Sequence, residues 1–186
     1  MFIYSLTGTT IPSLSFRRKE KRLTDINIGQ AQRLTAPCPF ALLSALRDDG
    51  STNLMAVSWW SYLSNHPPTL GACLSKKGLS GELIRKNGEF ALSVVDESLK
   101  EAALRCGGCS GRTKDKAAEF GIALTDAAQI APQVVRDSRV VFECRLTDIK
   151  EVADHVLYIA EIVAIRGDSE KKALFAFDGY GRLDSV

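Results

Sequence analysis

A mainly β chain that closes into a small antiparallel barrel, with a few short helices plugging its ends, is the fold class the sequence predicts. Three observations carry it. Six or seven segments have strand length and strand periodicity. The longest of them are apolar on both faces, which implies burial inside a barrel or against a second chain. No helix-length segment separates the last strands, which disfavours an alternating parallel sheet.

The first 30 residues read as an arm, loose or laid on a partner subunit, and residues 31–186 as one domain. In the arm a mildly apolar stretch precedes the basic cluster Arg17-Arg18-Lys19-Glu20-Lys21-Arg22, the reverse of the order in a secretory signal. Phe40 to Leu46 and Thr52 to Val57 form a hairpin around Asp48-Asp49-Gly50-Ser51, which supplies the short polar side chains and the glycine of a tight turn. At its far end Ser58-Trp59-Trp60-Ser61-Tyr62 alternates large rings with hydroxyls. Adjacent residues of an extended chain face opposite ways, so one tryptophan faces a cavity or a partner chain. The cluster suits a planar ligand, and equally half-buried rings at a barrel rim.

Asn65-His66-Pro67-Pro68 is a turn, and Thr69 to Leu74 a short buried strand. The strand runs into Ser75-Lys76-Lys77-Gly78-Leu79-Ser80, with Ser80 expected as the N-cap of a helix that Gly88 closes. A strand ending in hydroxyls, lysines and a glycine before a helix N-terminus is the layout of an anion site, and also of a plain capped helix with solvated lysines. Glu89 to Val95 alternates as a strand. Ser98 to Arg105 and the segment ending at Gly121 are short helices, with Lys114 and Lys116 on different faces of the second. Arg139 to Asp148 and His155 to Arg166 are long strands joined by a polar turn at Lys150 to Asp154. Ala173 to Phe177 is the last strand, and Asp178-Gly179-Tyr180-Gly181 ends the ordered chain.

Composition narrows the function classes. Twenty-four basic against twenty-two acidic residues leave a charge of +2, too balanced for a nucleic-acid surface without a local patch. No apolar run reaches the roughly 18 residues of a membrane-spanning helix. Five cysteines, three of them in strand-like segments, fit a reducing compartment, and a cytoplasmic location is expected. Cys106-Gly-Gly-Cys109 has the spacing of a redox disulfide or of half a metal site, but no second pair or nearby histidine completes a metal set, so no metal is expected. Neither G-x-G-x-x-G nor a Walker-type loop is present, so a dinucleotide is not held in the Rossmann manner.

Five motifs in order, PCPFALLSALRDDGSTNLMAVSWW, LGACLSKKGLSGELIRKNGEFALSV, CGGCSGRTKDKAAEFGI, the pair Ala131-Pro132 and ADHVLYIAEIVAI, resemble the flavin reductase-like FMN-binding split-barrel family, and most closely its flavoredoxin branch. The likeness covers about residues 30 to 180. It implies an FMN-binding flavoprotein oxidoreductase that accepts hydride from NADH or NADPH and passes electrons to flavin, ferric iron or a redox protein. It also implies a homodimer with flavin at the interface. By this resemblance Asn53 lies near the flavin, Ser58 and Trp59 edge its ring, and backbone N–H groups of Ala56, Val57, Ser58 and Trp59 serve its polar rim. Ser80, with Ser75 and Lys76 or Lys77, forms the phosphate pocket. Lys116 is the flavin-site lysine, His155 lies where a nicotinamide would stack, and Phe177 or Tyr180 closes the pocket. Departures occur at Ala153-Asp154-His155, where the family has Gly-Asp-His, and at Asp115-Lys116-Ala117, where it commonly has Asp-Lys-Phe. A flat ring with a polar edge and a phosphate tail needs such a wall, donors and anion pocket. Two alternatives stand beside this reading: a non-enzymatic FMN electron carrier, and an aromatic-lined barrel that binds nucleic acid.

Overall fold

The computed structural model describes residues 23–186. The basic cluster at Arg17 to Arg22 and most of the expected arm lie outside the described residues. A helix, α1 (Ile28–Leu34), crosses the expected boundary at residue 30. Asn27 and Gln30 close its first turn with a reciprocal capping box, and none of its residues is buried.

The strands that follow are β1 (Cys38–Pro39), β2 (Ala41–Leu46), β3 (Thr52–Val57), β4 (Trp60–Asn65) and β5 (Pro68–Ser75). After helix α2 (Leu79–Asn87) come β6 (Glu89–Val95), α3 (Lys100–Gly107) and α4 (Lys116–Phe120). The chain ends with β7 (Leu124–Thr125), β8 (Val134–Val135), β9 (Ser138–Val152), β10 (His155–Gly167), β11 (Leu174–Ala176) and β12 (Leu183–Ser185). Seven of the strands form one antiparallel sheet in the order β3-β2-β6-β9-β10-β5-β4.

That order corrects the expectation of a closed barrel. The two end strands, β3 and β4, follow one another in sequence but share no ladder. The chain leaves β3 at Val57, and the Trp59 carbonyl instead accepts the Cys73 N–H at 2.8 Å, while Trp60 pairs with Ala72 of β5. The sheet therefore wraps round a core and stops at a seam.

β2 is apolar on both faces because both are covered. Its Ala41, Leu43 and Ala45 join Phe90, Leu92, Ile84, Phe142 and Val156 in the core enclosed by the sheet. Phe40 and Leu42 face a second core with Leu54, Ala103, Ile122, Leu174 and Leu183. Helices α3 and α4 and the β11–β12 pair thus cover the outer face. The hairpin pairs Ala41 with Val57 through Leu46 with Thr52, and Gly50 takes the left-handed conformation its turn needs (φ 82°). The fully buried carboxylate of Glu143 on β9 accepts the N–H groups of Ala128 and Gln129 at 2.7–2.9 Å and an Arg166 guanidinium N–H at 2.8 Å. It pins the loop ahead of β8 to the sheet.

Three local expectations are corrected. Gly78, not Ser80, is the N-cap of α2; Ser80 lies inside the first turn because its hydroxyl is drawn to Asn53. The β9–β10 turn is only Ala153-Asp154, since Lys150 and Glu151 still pair with Leu157 and Val156. The ordered chain continues past Gly181 into β12, whose Leu183 is buried against β11. Gly88 does close α2 in the left-handed region (φ 70°).

Phe90 has no exposed surface and sits centrally in the enclosed core. Phe90→Ala is expected to lower unfolding free energy by about 3–5 kcal/mol, read as a lower urea midpoint at unchanged slope.

Candidate functional site

The seam opens into a cavity of about 400 Å³. One wall is the end of β3 and the link beyond it, Met55 to Trp59. The other is the end of β5, Cys73 to Ser75, with His155 at the start of β10. Among the described residues β3 pairs only with β2, which leaves one side of its backbone free of strand partners at this wall. Cys106 and Gly107, at the end of α3, form the floor. Tyr180 closes the far side: a side-chain carbon on Gly107 would come within 2.9 Å of the Tyr180 Cβ, so only glycine admits this packing.

At the mouth the rings of Trp59 and His155 stand 4.8 Å apart at 31°. Trp59 is 45% exposed, far more than an aromatic serving only a core. His155 Nδ1 hydrogen-bonds the Asp154 carboxylate at 2.9 Å, which fixes the imidazole plane and holds the Asp154 carboxyl below the usual range.

A second cavity of about 140 Å³ adjoins the first, and Met55, Cys109 and Lys116 line both. It lies at the N-terminus of α2, where Gly78 offers no side-chain cap and Leu79 and Ser80 carry unpaired helical N–H groups. Asn53 sets its wall. The Asn53 amide donates to Ser80 Oγ at 2.9 Å and accepts from Arg47 at 3.2 Å, and Arg47 also donates to the Gly111 carbonyl at 2.7 Å. Since Ser80 Oγ accepts, its own proton is free for a ligand. A side-chain carbon on Gly111 would lie 1.9 Å from Asn53 Oδ1, so glycine alone lets that loop close down. Arg112 and Glu82 form an ion pair nearby.

Lys116 begins α4 and is only 5% exposed. Its ammonium donates to the Cys106 carbonyl at 2.8 Å, and no carboxylate pairs with it among the described residues. Burial lowers its pKa. A buried cation with one neutral partner, between two cavities, favours an anionic or electron-rich ligand.

Most of the expected site residues converge here. Ala56, Val57, Ser58, Trp59, Ser75, Lys116, His155 and Tyr180 line the larger cavity, and Asn53, Ser80 and Lys116 the smaller. Three do not. Lys76 points to Glu151 at 2.9 Å, Lys77 is exposed, and Phe177 packs under the Arg182 guanidinium at 4.6 Å. The neighbouring Tyr180 takes the position left open between it and Phe177. The expectations omitted Gln32, Met55, Cys73 and Gly111. Gly111 carried a signal, in the run Ser-Gly-Arg after the cysteine pair; Gln32, on a helix with no buried face, carried none. Among the described residues no group of three histidine, cysteine or acidic side chains could hold a metal.

An antiparallel sheet split at a seam, with a cavity that leads to an uncapped helix tip, is the architecture of the split barrels. The chain belongs to the family described as flavin reductase like domain, which matches residues 33–184, and is an oxidoreductase of that family. It is 31% identical over 124 residues to the NADH-dependent flavin reductase StyB of Pseudomonas fluorescens, covering 67% of this chain and 68% of that one. Its structure is similar to the styrene monooxygenase flavin reductase of Pseudomonas putida S12, with a TM-score of 0.73 and 26% identity over 87% of this chain and 97% of that one. The flavoredoxin of Methanosarcina acetivorans has the same fold, with a TM-score of 0.78 and 22% identity over 89% and 91% of the two chains.

Desolvation gives Lys116 a direct pH signature. A lysine whose folded pKa lies below its ordinary 10.5 makes the ligand-free protein gain stability as pH rises through that window, where the unfolded chain holds the proton and the folded chain does not. Lys116→Met is expected to be more stable than the parent at neutral pH, with the difference shrinking toward pH 10.5. Parallel stability curves for the two proteins would contradict the buried charge.

Proposed function

We propose that the protein is an FMN-dependent oxidoreductase that takes hydride from NADH or NADPH. The observation that carries the reading is the pair of joined cavities with a buried lysine at their junction. The residues present fit FMN: the free backbone side of Ala56 to Trp59 for the polar ring edge, the uncapped tip of α2 for the phosphate, and Lys116 between them. Bound there, FMN supplies hydride acceptance at N5 and onward release of electrons to flavin, ferric iron or a protein acceptor.

The chain's own work is positional and electrostatic. Asn53 holds the Ser80 hydroxyl with its proton directed away, ready to donate to a phosphate oxygen. Lys116 supplies positive charge in a water-poor site, which favours the more negative, reduced state of a ligand beside it. Trp59 and His155 form a stacked shelf at the open side, suited to orient a nicotinamide ring, and Asp154 keeps that imidazole in plane. No residue is required to move a proton for hydride transfer.

A homodimer completes this reading. The outer strand β4 presents Tyr62 and Leu63, 61% and 48% exposed, along a sheet edge that no other strand among the described residues covers. A second chain over this edge would also border the mouth at Trp59. A cytoplasmic location and a domain spanning residues 31–186, with the preceding arm outside it, belong to the same proposal.

Titration of the flavin-free protein with FMN is expected to quench flavin fluorescence at a one-to-one ratio, and Ser80→Asp to weaken binding at least tenfold, about 1.4 kcal/mol. Unchanged affinity in that variant would remove the phosphate from α2. In stopped-flow, NADH or NADPH is expected to bleach bound FMN, with His155→Ala about tenfold slower at unaltered FMN affinity. Failure of both nicotinamides to bleach it would leave a carrier that receives electrons from a docked protein. Light scattering at micromolar concentration is expected to give twice the chain mass; a monomer would refute the pairing.

A further inference from the structure

The motif Cys106-Gly-Gly-Cys109 has no part in the function proposed above, yet both sulfur-bearing residues line the cofactor cavities. Cys106 is fully buried in the last turn of α3, on the floor of the larger cavity. Cys109 follows the C-cap Gly108, is partly exposed, and lines both cavities. The backbone between them stays helical: Gly108 has φ −88° and ψ −1°, and its N–H returns to the Arg105 carbonyl at 3.2 Å. Positions three apart in a helical turn have Cα atoms about 5 Å apart, inside the window of about 4.4–6.8 Å that a disulfide spans. The two intervening glycines have no side chains to obstruct the approach. Cys106 lies close enough to Cys109 to feel its charge, and Lys116 lies close enough to feel both sulfurs.

We propose that Cys106 and Cys109 form a dithiol–disulfide couple facing the cofactor cavity, a second two-electron centre that accepts electrons from flavin bound there. This rests on the flavin reading. In the reductive direction the S–S bond breaks, two electrons from reduced flavin and two protons make two S–H groups, and the flavin is left oxidised. In the oxidative direction the oxidant is a peroxide. Its O–O bond breaks, the two thiols give up two protons and two electrons, the S–S bond forms, and hydrogen peroxide leaves as two waters. Burial pushes the Cys106 thiol up to about 11, and Cys109 is the more exposed of the two sulfurs, so it is the one a peroxide reaches first. The arrangement differs from helix-N-terminal C-x-x-C sites, because this pair closes a helix C-terminus and draws its positive charge from a side chain instead of the helix dipole.

The sequence makes the test direct, since trypsin cuts after Arg105 and Arg112 and releases both cysteines in one peptide, Cys106 to Arg112. Flavin-free protein is treated with stoichiometric hydrogen peroxide, quenched with N-ethylmaleimide and digested. The expected peptide is unlabelled and two hydrogens lighter than the dithiol; separately labelled or over-oxidised cysteines would overturn the couple. The oxidised protein is then mixed anaerobically with FMN that has been photoreduced with EDTA, with oxidised glutathione in the same solution. The peptide is expected to gain two maleimide labels at least about tenfold faster than the glutathione is reduced. Fluorescence quenching by the same protein reports FMN binding independently. Bound FMN with a persistent disulfide overturns the electron transfer and leaves the flavin reading intact. Absent quenching overturns the flavin reading and the transfer with it, while the peroxide arm still decides whether the couple exists.

Discussion

Everything in this molecule is arranged around one missing ladder, between β3 and β4. Two strands joined by a two-residue link would ordinarily pair, yet Ser58 and Trp59 carry the chain out of one ladder and into contact with β5. The free side of β3 that results would be costly if sealed in the core without partners. At a cavity wall it is a row of groups able to meet a ligand. The seam is thus tolerable because it is a site, and the site exists because the sheet does not close.

The second organising element is electrostatic. Lys116 is buried where, among the described residues, no carboxylate balances its charge, beside a helix tip whose N–H groups add positive potential. Asn53, Arg47 and Gly111 brace that tip from the hairpin side through interlocking hydrogen bonds and a contact that excludes any side chain on the glycine. Strand β3 therefore serves both ends of the candidate site: Asn53 near its start lines the smaller cavity, and Ala56 and Val57 at its end line the larger one. Spacing between the two ends is set by the rise of one strand, about 3.3 Å per residue.

Much of this was legible in the sequence because it depends on local chemistry. The hairpin follows from Asp-Asp-Gly-Ser between apolar arms, and α2 from its apolar face and the closing Gly88. The five ordered motifs brought Asn53, Ser80, Lys116, Trp59 and His155 into one site, and they do converge. What was not legible depends on partners distant in the chain. Ser80 reads as a cap by residue type, but Asn53, 27 positions earlier, claims its hydroxyl. Lys76 and Lys77 look like phosphate ligands next to α2, yet Glu151 across the β-sheet holds the first and the second stays in water. Closure of the barrel is a matter of pairing between strand edges, and periodicity, which reports only faces, cannot distinguish a closed sheet from a split one. β12 is too short, and too polar around Leu183, to stand out before β11 is placed beside it.

The double burial of β2 bears on how the molecule loosens. Covered by a core on each face and flanked by β3 and β6, it is the strand expected to hold its amide hydrogens longest against exchange. β4, at the end of the sheet and exposed along most of its length, is expected to open before it. The link Ser58-Trp59 leads from the buried β3 into that looser strand, so the lip of the seam at Trp59 can part for a guest while the foundation beneath it stays shut.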